Sequence, residues 1–555
     1  MDDCLRLRRW LGYLGVLLLG GLWGCIQVPA SSPAQGSVEP THMNILFINN
    51  EDLSTRAVGC YGNPIVKTPN IDRLARQGIQ FNRAYCASPM CNPSRASFCT
   101  GLRPDATHIY TNQDLMNEKT PGIARGIGSV LRWKGAYQAN IGKLYHGREA
   151  NRHYLSYDYL AYCKPPQGFS GKLQPSSSGE CPDRRFKYSS DPILEAELER
   201  RAKVFAAQSK TMPPEHPEWW FKVGIPYRGM QCQILGDSGM PETCEEDYQK
   251  ARMAGDLLKR LARVDKQFFL SVGFSKPHTP LVAPKEYVDR YNLNLIARPV
   301  ARAGNDRNMP AAAKRFGVKP DLFTGWFDDE FPQLRETPER QKEAIAAYYA
   351  AATFVDAQVG YLLDTLEETG LAKNTIVIYF ADHGFHLGEH GLWSKYTQFE
   401  EVTRVPLIVY VPKAAGNGQV CDKIVELVDI LPTLCDLWQV KKPDYFEGTS
   451  FAPLLAKPDQ PWKKAAFNVF NMQGVSQRDV TARTIRTERY RYTEWGEHGL
   501  HGIELYDLQA DPLEQINQAY HRKYRRIRLR LAQGLHAGWK VALPGSPYDL
   551  DVGDQ

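Results

Sequence analysis

The sequence lacks a dominant charge of either sign: 68 Lys and Arg against 62 Asp and Glu leave a formal net charge of +6 over 555 residues. That balance permits an anionic substrate without requiring one. No basic run sits in a recognisable nucleic-acid-binding module, which sets aside a nucleic-acid partner. The chain has no internal repeats, which excludes a repeat array. Its one long apolar run, Trp10 to Trp23, is short for a stable membrane span. With 43% hydrophobic and 23% charged residues, the composition is that of a folded soluble protein, long enough for two or three domains.

Arg6, Arg8 and Arg9 precede that apolar run, and the combination reads as an export signal over residues 1–25 rather than a structural helix. It ends Leu22-Trp23-Gly24-Cys25, which resembles a bacterial lipobox, with Cys25 as the lipid-carrying residue. The alternative is cleavage near Ala30 and a soluble exported protein. Residues 26–43, rich in Ser, Pro and Ala, read as a linker. The expected location is therefore the periplasm or cell surface, with a membrane contact only through the lipid. Of twelve cysteines, setting aside Cys4, Cys25 and Cys91 (singled out below) leaves nine. An odd number in an exported protein means at least one free thiol. Cys163 with Cys181, and Cys232 with Cys244, are candidate local disulfides, with connectivity open.

From residue 44 onward strands and helices alternate. Asn44–Asn50, Ala136–Gly142, Phe268–Phe274, Thr375–Ala381 and Leu407–Val411 have the apolar runs of buried strands. Asn70–Gln77, Asp247–Asp265 and Lys342–Thr369 have helical patterns, and Ile424–Leu437 continues the alternation. This argues for an α/β fold over residues 44–440, with a mainly parallel sheet flanked by helices. Residues 150–245 read as a loop-rich insertion. Residues 441–555 read as a smaller C-terminal subdomain with an antiparallel sheet, from strand-like stretches in Thr481–Trp495 and Glu504–Asp507, followed by a helix in His521–Lys540. The basic run from His521 to Arg528 reads as a solvated helix face.

In open α/β sheets ligands bind beyond the carboxyl ends of the strands. Four of the expected strands run into ionisable groups there: Glu51-Asp52, Lys143 with His146, Lys276-Pro277-His278, and Asp382-His383. Glu51, Asp52 and Asp382 offer the oxygens that a hard divalent cation prefers. Separately, Cys91-Asn92-Pro93-Ser94-Arg95 places a cysteine just ahead of an expected helix, with Asn92 as N-cap and Pro93 at the first helical position. Cys91 would lie where the helix N-terminus favours an anion, and Arg95 adds a positive charge.

Cys91-x-Pro93-Ser94-Arg95, with Thr100-Gly101 beyond it, resembles the signature of type I sulfatases. The resemblance runs over roughly residues 44–535. It narrows toward the iduronate-2-sulfatase branch on Gly59–Gly62, Thr68–Asp72, Cys91–Asp105, Gly142–His146, Lys276–His278, Asp382–Tyr396, Tyr490–Thr493 and Glu504–Pro512. It implies an alkaline-phosphatase-like large domain and hydrolysis of sulfate esters on a glycosaminoglycan or other sulfated polysaccharide. It implies a maturation enzyme that oxidises Cys91 to formylglycine, an aldehyde whose hydrate attacks sulfur. It implies one Ca2+ held by Glu51, Asp52, residue 91, Asp382 and His383. Arg95 would orient the nucleophile, Lys143, His146 and Lys395 would contact sulfate or nucleophile, and His278 would protonate the leaving alcohol. Three positions depart from the branch: Glu51 stands where Asp is usual, and Asn92 and His386 replace smaller residues, which makes His386 a candidate pocket residue. Two other functions remain open on the residues alone: a phosphate or phosphonate monoester hydrolase, and a non-catalytic glycan-binding surface lipoprotein.

Overall fold

A computed structural model describes residues 43–120, 126–131, 136–146, 159–160, 235–238, 241–264, 266–299, 308–313, 337–474 and 479–550. The export signal with Cys25, the linker, Cys163, Cys181 and Cys232 of the candidate disulfides, and most of the 150–245 insertion lie outside the described residues. The described cysteines Cys60, Cys86, Cys91, Cys99, Cys421 and Cys435 are free thiols.

The main sheet has nine strands. In chain order they are β1 (Asn44–Asn50), β2 (Ile79–Tyr85), β3 (Tyr137–Gly142), β4 (Tyr159–Leu160), β5 (Phe268–Phe274), β6 (Thr375–Ala381), β7 (Arg404–Val405), β8 (Leu407–Tyr410) and β9 (Val420–Glu426). Their order across the sheet is β7-β2-β8-β6-β1-β5-β3-β4, with β9 pairing β2. The central strands β6, β1, β5 and β3 are mutually parallel, while β8 runs antiparallel to both of its neighbours. Every residue of β1, β5 and β6 is buried. Strands covered on both faces need no polar alternation, which is why they stand out as unbroken apolar runs.

Helices α1 (Pro69–Gln77), α2 (Cys91–Thr100), α3 (Glu246–Leu261) and α4 (Pro338–Glu368) flank this sheet. Phe98 of α2 packs edge-on against Phe380 of β6, with ring centroids 5.0 Å apart, and Phe47 of β1 meets the same ring at 4.9 Å. These contacts seat α2 on the central strands. The expectation for its first turn is corrected. The helix begins at Cys91 itself, with Met90 as its extended N-cap. Asn92 caps nothing; its amide donates to the carbonyls of Thr111 (3.0 Å) and Asp114 (2.8 Å). Two loop carbonyls near the amide outcompete the capping geometry that the isolated sequence suggests. The 424–437 stretch also divides, its first residues completing β9, Leu427–Asp429 forming a 3-10 turn and the rest forming helix α5 (Ile430–Leu437).

Beyond the main sheet, β10 (Ala465–Asn471), β11 (Thr481–Thr487), β12 (Tyr490–Trp495) and β13 (Ile503–Asp507) form an antiparallel four-stranded sheet in sequential order. Helix α6 (Arg525–Ala537) buries Ile527, Leu531 and Leu535 with Ile485 and Leu505 of that sheet.

Candidate active site

Because β3, β5, β1 and β6 are adjacent and parallel, their carboxyl ends share one edge. Asp382 N–H donates to the Asn50 carbonyl (3.1 Å) and Glu51 N–H to that of Phe274 (3.2 Å), so the ladder continues into the functional residues. Close approach between β3 and β5 depends on glycine. Gly142 has φ +84°, and a Cβ on Gly273 would stand 2.0 Å from the Lys143 carbonyl oxygen.

Asp52 turns the chain out of β1 in the left-handed region, at φ 57°. Its N–H donates to Asp382 Oδ1 (3.1 Å). Its carboxylate accepts from Lys395 Nζ (2.8 and 3.0 Å), which also lies 3.1 Å from Cys91 Sγ. On the other side of the thiol, His383 Nε2 is 3.2 Å from Sγ and 3.4 Å from Asp52 Oδ1. Arg95 is wholly buried. It donates from Nε to Asp382 Oδ2 (2.9 Å) and from Nη1 to Asn49 Oδ1 (3.0 Å) and the carbonyls of Lys143 and Leu144 (2.9 and 3.1 Å). One guanidinium thus ties the ends of β1, β3 and β6 together. Lys143 Nζ donates to Glu51 Oε2 (2.8 Å). His278 Nδ1 lies 2.8 Å from the Thr279 carbonyl, and its Nε2 stands 4.0 Å from Asp52 Oδ2. A protonated Nδ1 donating there leaves Nε2, on a side chain about one-third exposed (36%), to face a ligand.

The charges respond to this crowding. Burial alone would raise the Asp52 carboxyl, but Lys395, His278 and His383 outweigh it and bring it to about 2. Glu51 is likewise held well below its usual value, Lys143 first among the cations that overcome its burial. Burial opposes the Lys395 ammonium, yet Asp52 and Cys91 hold its pKa well above normal. His383, opposed by burial, is lifted to about 9 by Asp382 and Cys91. Burial would raise the Cys91 thiol, but Lys395, Lys143 and His383 bring it below its ordinary value. His146 and His278 go the other way: burial lowers both, and Lys143 pushes His146 further down. The site therefore prepares position 91 for negative charge with the cations of Lys395 and His383 beside it, while His278 and His146 are kept neutral.

The donor set fits a divalent cation. Glu51, Asp52, Cys91 and His278 each bring a ligand atom within 4.8 Å of the others, and Cys91, Asp382 and His383 do the same. Three carboxylates make the combined set rich in hard oxygen.

Of the residues singled out from sequence, Glu51, Asp52, Cys91, Arg95, Lys143, His278, Asp382, His383 and Lys395 are joined by the contacts above. His146 lies in the electrostatic field of Lys143, Glu51 and Arg95. His386 is not joined to these contacts: its side chain is fully buried, with Nε2 2.7 Å from Thr397 Oγ1 and its ring among those of His390 and Phe399. Sequence reasoning missed Asn49, Ser94 and Tyr348. Asn49 precedes Glu51 by two, near the end of β1, a spacing that extended chain places on one face and a signal that was available. Ser94 Oγ donates to the Asp382 carbonyl (2.5 Å). Tyr348, in the middle of α4, donates to the Asp52 carbonyl and accepts from Ser54 N–H (2.9 Å). Nothing in its local sequence marks it.

Comparison with known proteins assigns the chemistry. A family model described as Sulfatase matches residues 43–440. A second, described as N-sulphoglucosamine sulphohydrolase, C-terminal, matches residues 388–540. Iduronate 2-sulfatase of Mus musculus is 28% identical, the alignment covering 90% of this chain and 94% of the relative. A sulfatase of Formosa agariphila is also 28% identical, covering 87% and 84%. Among solved structures, a protein in complex with its substrate D-glucosamine-2-N,6-O-disulfate has a TM-score of 0.63 at 22% identity, covering 90% of this chain and 97% of its own. The phosphonate monoester hydrolase of Agrobacterium radiobacter has a TM-score of 0.65 at 22% identity, covering 91% and 97%. These structures share the fold, an alkaline-phosphatase-like α/β domain with a smaller antiparallel domain. The family model spans most of the chain and coincides with the main sheet and the cluster at its edge, so the chain belongs to the sulfatase family as a type I sulfatase, a hydrolase of sulfuric esters.

Proposed function

We propose that this sulfatase removes sulfate from a carbohydrate, with iduronate 2-sulfate or an equivalently placed sulfate in a sulfated polysaccharide as substrate. The observation that carries this reading is the position of Cys91, within 3.2 Å of both His383 Nε2 and Lys395 Nζ at the edge where the carboxylates converge. The named activity of the mouse and human relatives supports the choice of sugar.

Cys91 is the precursor of the nucleophile, to be converted by a maturation enzyme to formylglycine. That group supplies a hydrated aldehyde hydroxyl as nucleophile and allows sulfate to be released on return to the aldehyde. Glu51, Asp52, Asp382 and His383, with residue 91, would hold a Ca2+, which would neutralise charge on the ester. Ca2+ accommodates the longer Glu51 side chain more readily than Mg2+, with its stricter octahedral geometry. Lys143 and Lys395 offer fixed cations to sulfate oxygens, where they stabilise charge that grows in the transition state. Arg95 holds Asp382 and the β3 end in place, and its unpaired Nη2 among the described residues faces no other protein acceptor. His278 delivers a proton from Nε2 to the departing alkoxide, and an anionic ester beside it favours the protonated form that burial disfavours. His146, kept neutral, accepts the proton from residue 91. His386 acts on this site only through the loop it buttresses. The chain is exported, with Cys25 as the site of a lipid anchor.

Peptide mass spectrometry across residue 91 in protein from its native host, paired with sulfate release from defined saccharides, tests the reading. Formylglycine at 91 and turnover of 2-O-sulfated uronides are expected. Unconverted cysteine in active enzyme, or turnover confined to phosphate or phosphonate esters, would refute it.

A further inference from the structure

The C-terminal domain carries a second cluster of metal-binding side chains that shares no residue with the catalytic one. Glu494 is the penultimate residue of β12, His498 lies in the turn that follows, and His536 lies in the last turn of α6. A ligand atom from each falls within 4.8 Å of the other two. His536 Nε2 is 2.8 Å from Glu494 Oε2, and the rings of His498 and His536 meet edge to face with centroids 4.6 Å apart. The Glu494–His536 contact alone would be an ordinary helix-to-sheet pair. Two further features make it more. Tyr492 donates its hydroxyl to the other carboxylate oxygen, Glu494 Oε1 (2.8 Å), fixing the plane of the carboxylate and leaving Oε2 for a ligand. His498 is held at φ 48° between Gly496 and Gly499, both also left-handed, so the turn backbone places its ring against His536. Among the described residues His498 makes no hydrogen bond that would otherwise explain this placement.

We propose that Glu494, His498 and His536 form a site for Zn2+ or a similar divalent transition ion. Two imidazoles and one carboxylate are a donor set that zinc takes and that calcium, which prefers oxygen, does not. Glu494 is buried, while both histidines are exposed, so solvent reaches a fourth position and water completes the coordination. The carboxylate's hydrogen bond from Tyr492 is the kind of outer contact that orients metal ligands. The bound ion joins the end of α6 to the turn between β12 and β13, and so fastens the last helix to the domain's sheet.

The test uses tag-free full-length enzyme, stripped with chelator and reloaded with Ca2+ so that the catalytic cluster does not compete. Zn2+ is titrated calorimetrically and Co2+ by visible absorption. One saturable Zn2+ per chain is expected, raising the thermal midpoint, with Co2+ giving tetrahedral ligand-field bands. His498→Ala and His536→Ala should each weaken binding by more than about 10-fold and remove the zinc-induced shift, leaving sulfatase turnover unchanged. His498→Ala alters an exposed turn side chain, and an unchanged zinc-free midpoint certifies its fold. Zinc binding that survives both substitutions, or no saturable binding by the parent enzyme, would overturn the proposal.

Discussion

Lys395 shows how much one side chain can carry. Its ammonium is buried between the Asp52 carboxylate and Cys91 Sγ, and it has no solvent to replace those partners. Lys395→Met should lower kcat/KM for a sulfate ester by about 10²–10³, the scale of losing one preorganised charge at a reacting centre. Steady-state kinetics checks this, with mass spectrometry confirming that residue 91 is processed as in the parent. The carboxylates make a different prediction. Chelator treatment should abolish turnover, and Ca2+ should restore it more fully than Mg2+, because Glu51 lengthens one arm of a site that Mg2+ would need near-octahedral. Metal-reconstitution assays decide it, and in Glu51→Asp protein the preference for Ca2+ should narrow. At this scale most of the site was legible, since Glu51, Asp52, Lys143, His278, Asp382 and His383 all follow strands within a few residues. The surroundings of His386 were not legible, because Thr397 and Phe399, which pack against it, come from the far arm of the same loop.

The elements set the site by bringing strand ends together, and glycine decides how closely. A methyl group at Gly273 would collide with the Lys143 carbonyl, which cannot move without shifting the acceptor of Arg95 Nη1. Gly273→Ala should therefore destabilise the protein by about 2–4 kcal/mol, in the range of backbone clashes in a packed core, and displace Lys143 and His146 together. Urea unfolding gives the first effect. A fall in kcat at temperatures where the variant is still folded gives the second. The strands themselves were readable because Phe268–Phe274 and Thr375–Ala381 are buried on both faces, and their observed limits match the apolar runs. The start of α2 was not, because capping rules describe a helix end in isolation. The carbonyls that take the Asn92 amide belong to a loop some twenty residues on.

For the whole molecule the question is what joins the antiparallel sheet to the catalytic one, and sequence patterns do not report pairs separated by hundreds of positions. Glu426, at the end of β9, accepts from Arg103 Nη1 and Nη2 (2.6 and 2.7 Å), from Lys463 Nζ (2.5 Å) just before β10, and from Phe467 N–H within β10 (2.9 Å). One buried carboxylate therefore links the segment after α2, the edge of the main sheet and the first strand of the second. Burial would raise its pKa, but Arg103 and Lys463 overcome that and depress it to about 2 from 4.5. A depressed carboxylate favours the folded state fully above the unfolded value and loses that contribution as pH falls toward the folded one. Glu426 therefore contributes stability above pH 4.5 that disappears between about pH 4.5 and 2. Asp429 shares Lys463 and has its pKa raised by burial, so it offsets part of this over the upper end of that window. Net stability should thus fall on acidification below about pH 4.5, as denaturant midpoints across that range would record. Glu426→Gln should flatten the acid limb. Arg103→Ala, which leaves the buried carboxylate with Lys463 as its one cation, should cost about 3–5 kcal/mol at neutral pH. If the acid limb is unchanged in Glu426→Gln, the two sheets are held by the Glu400–Arg486–Arg491–Glu514 contacts instead, and the corresponding loss should appear in Arg491→Ala.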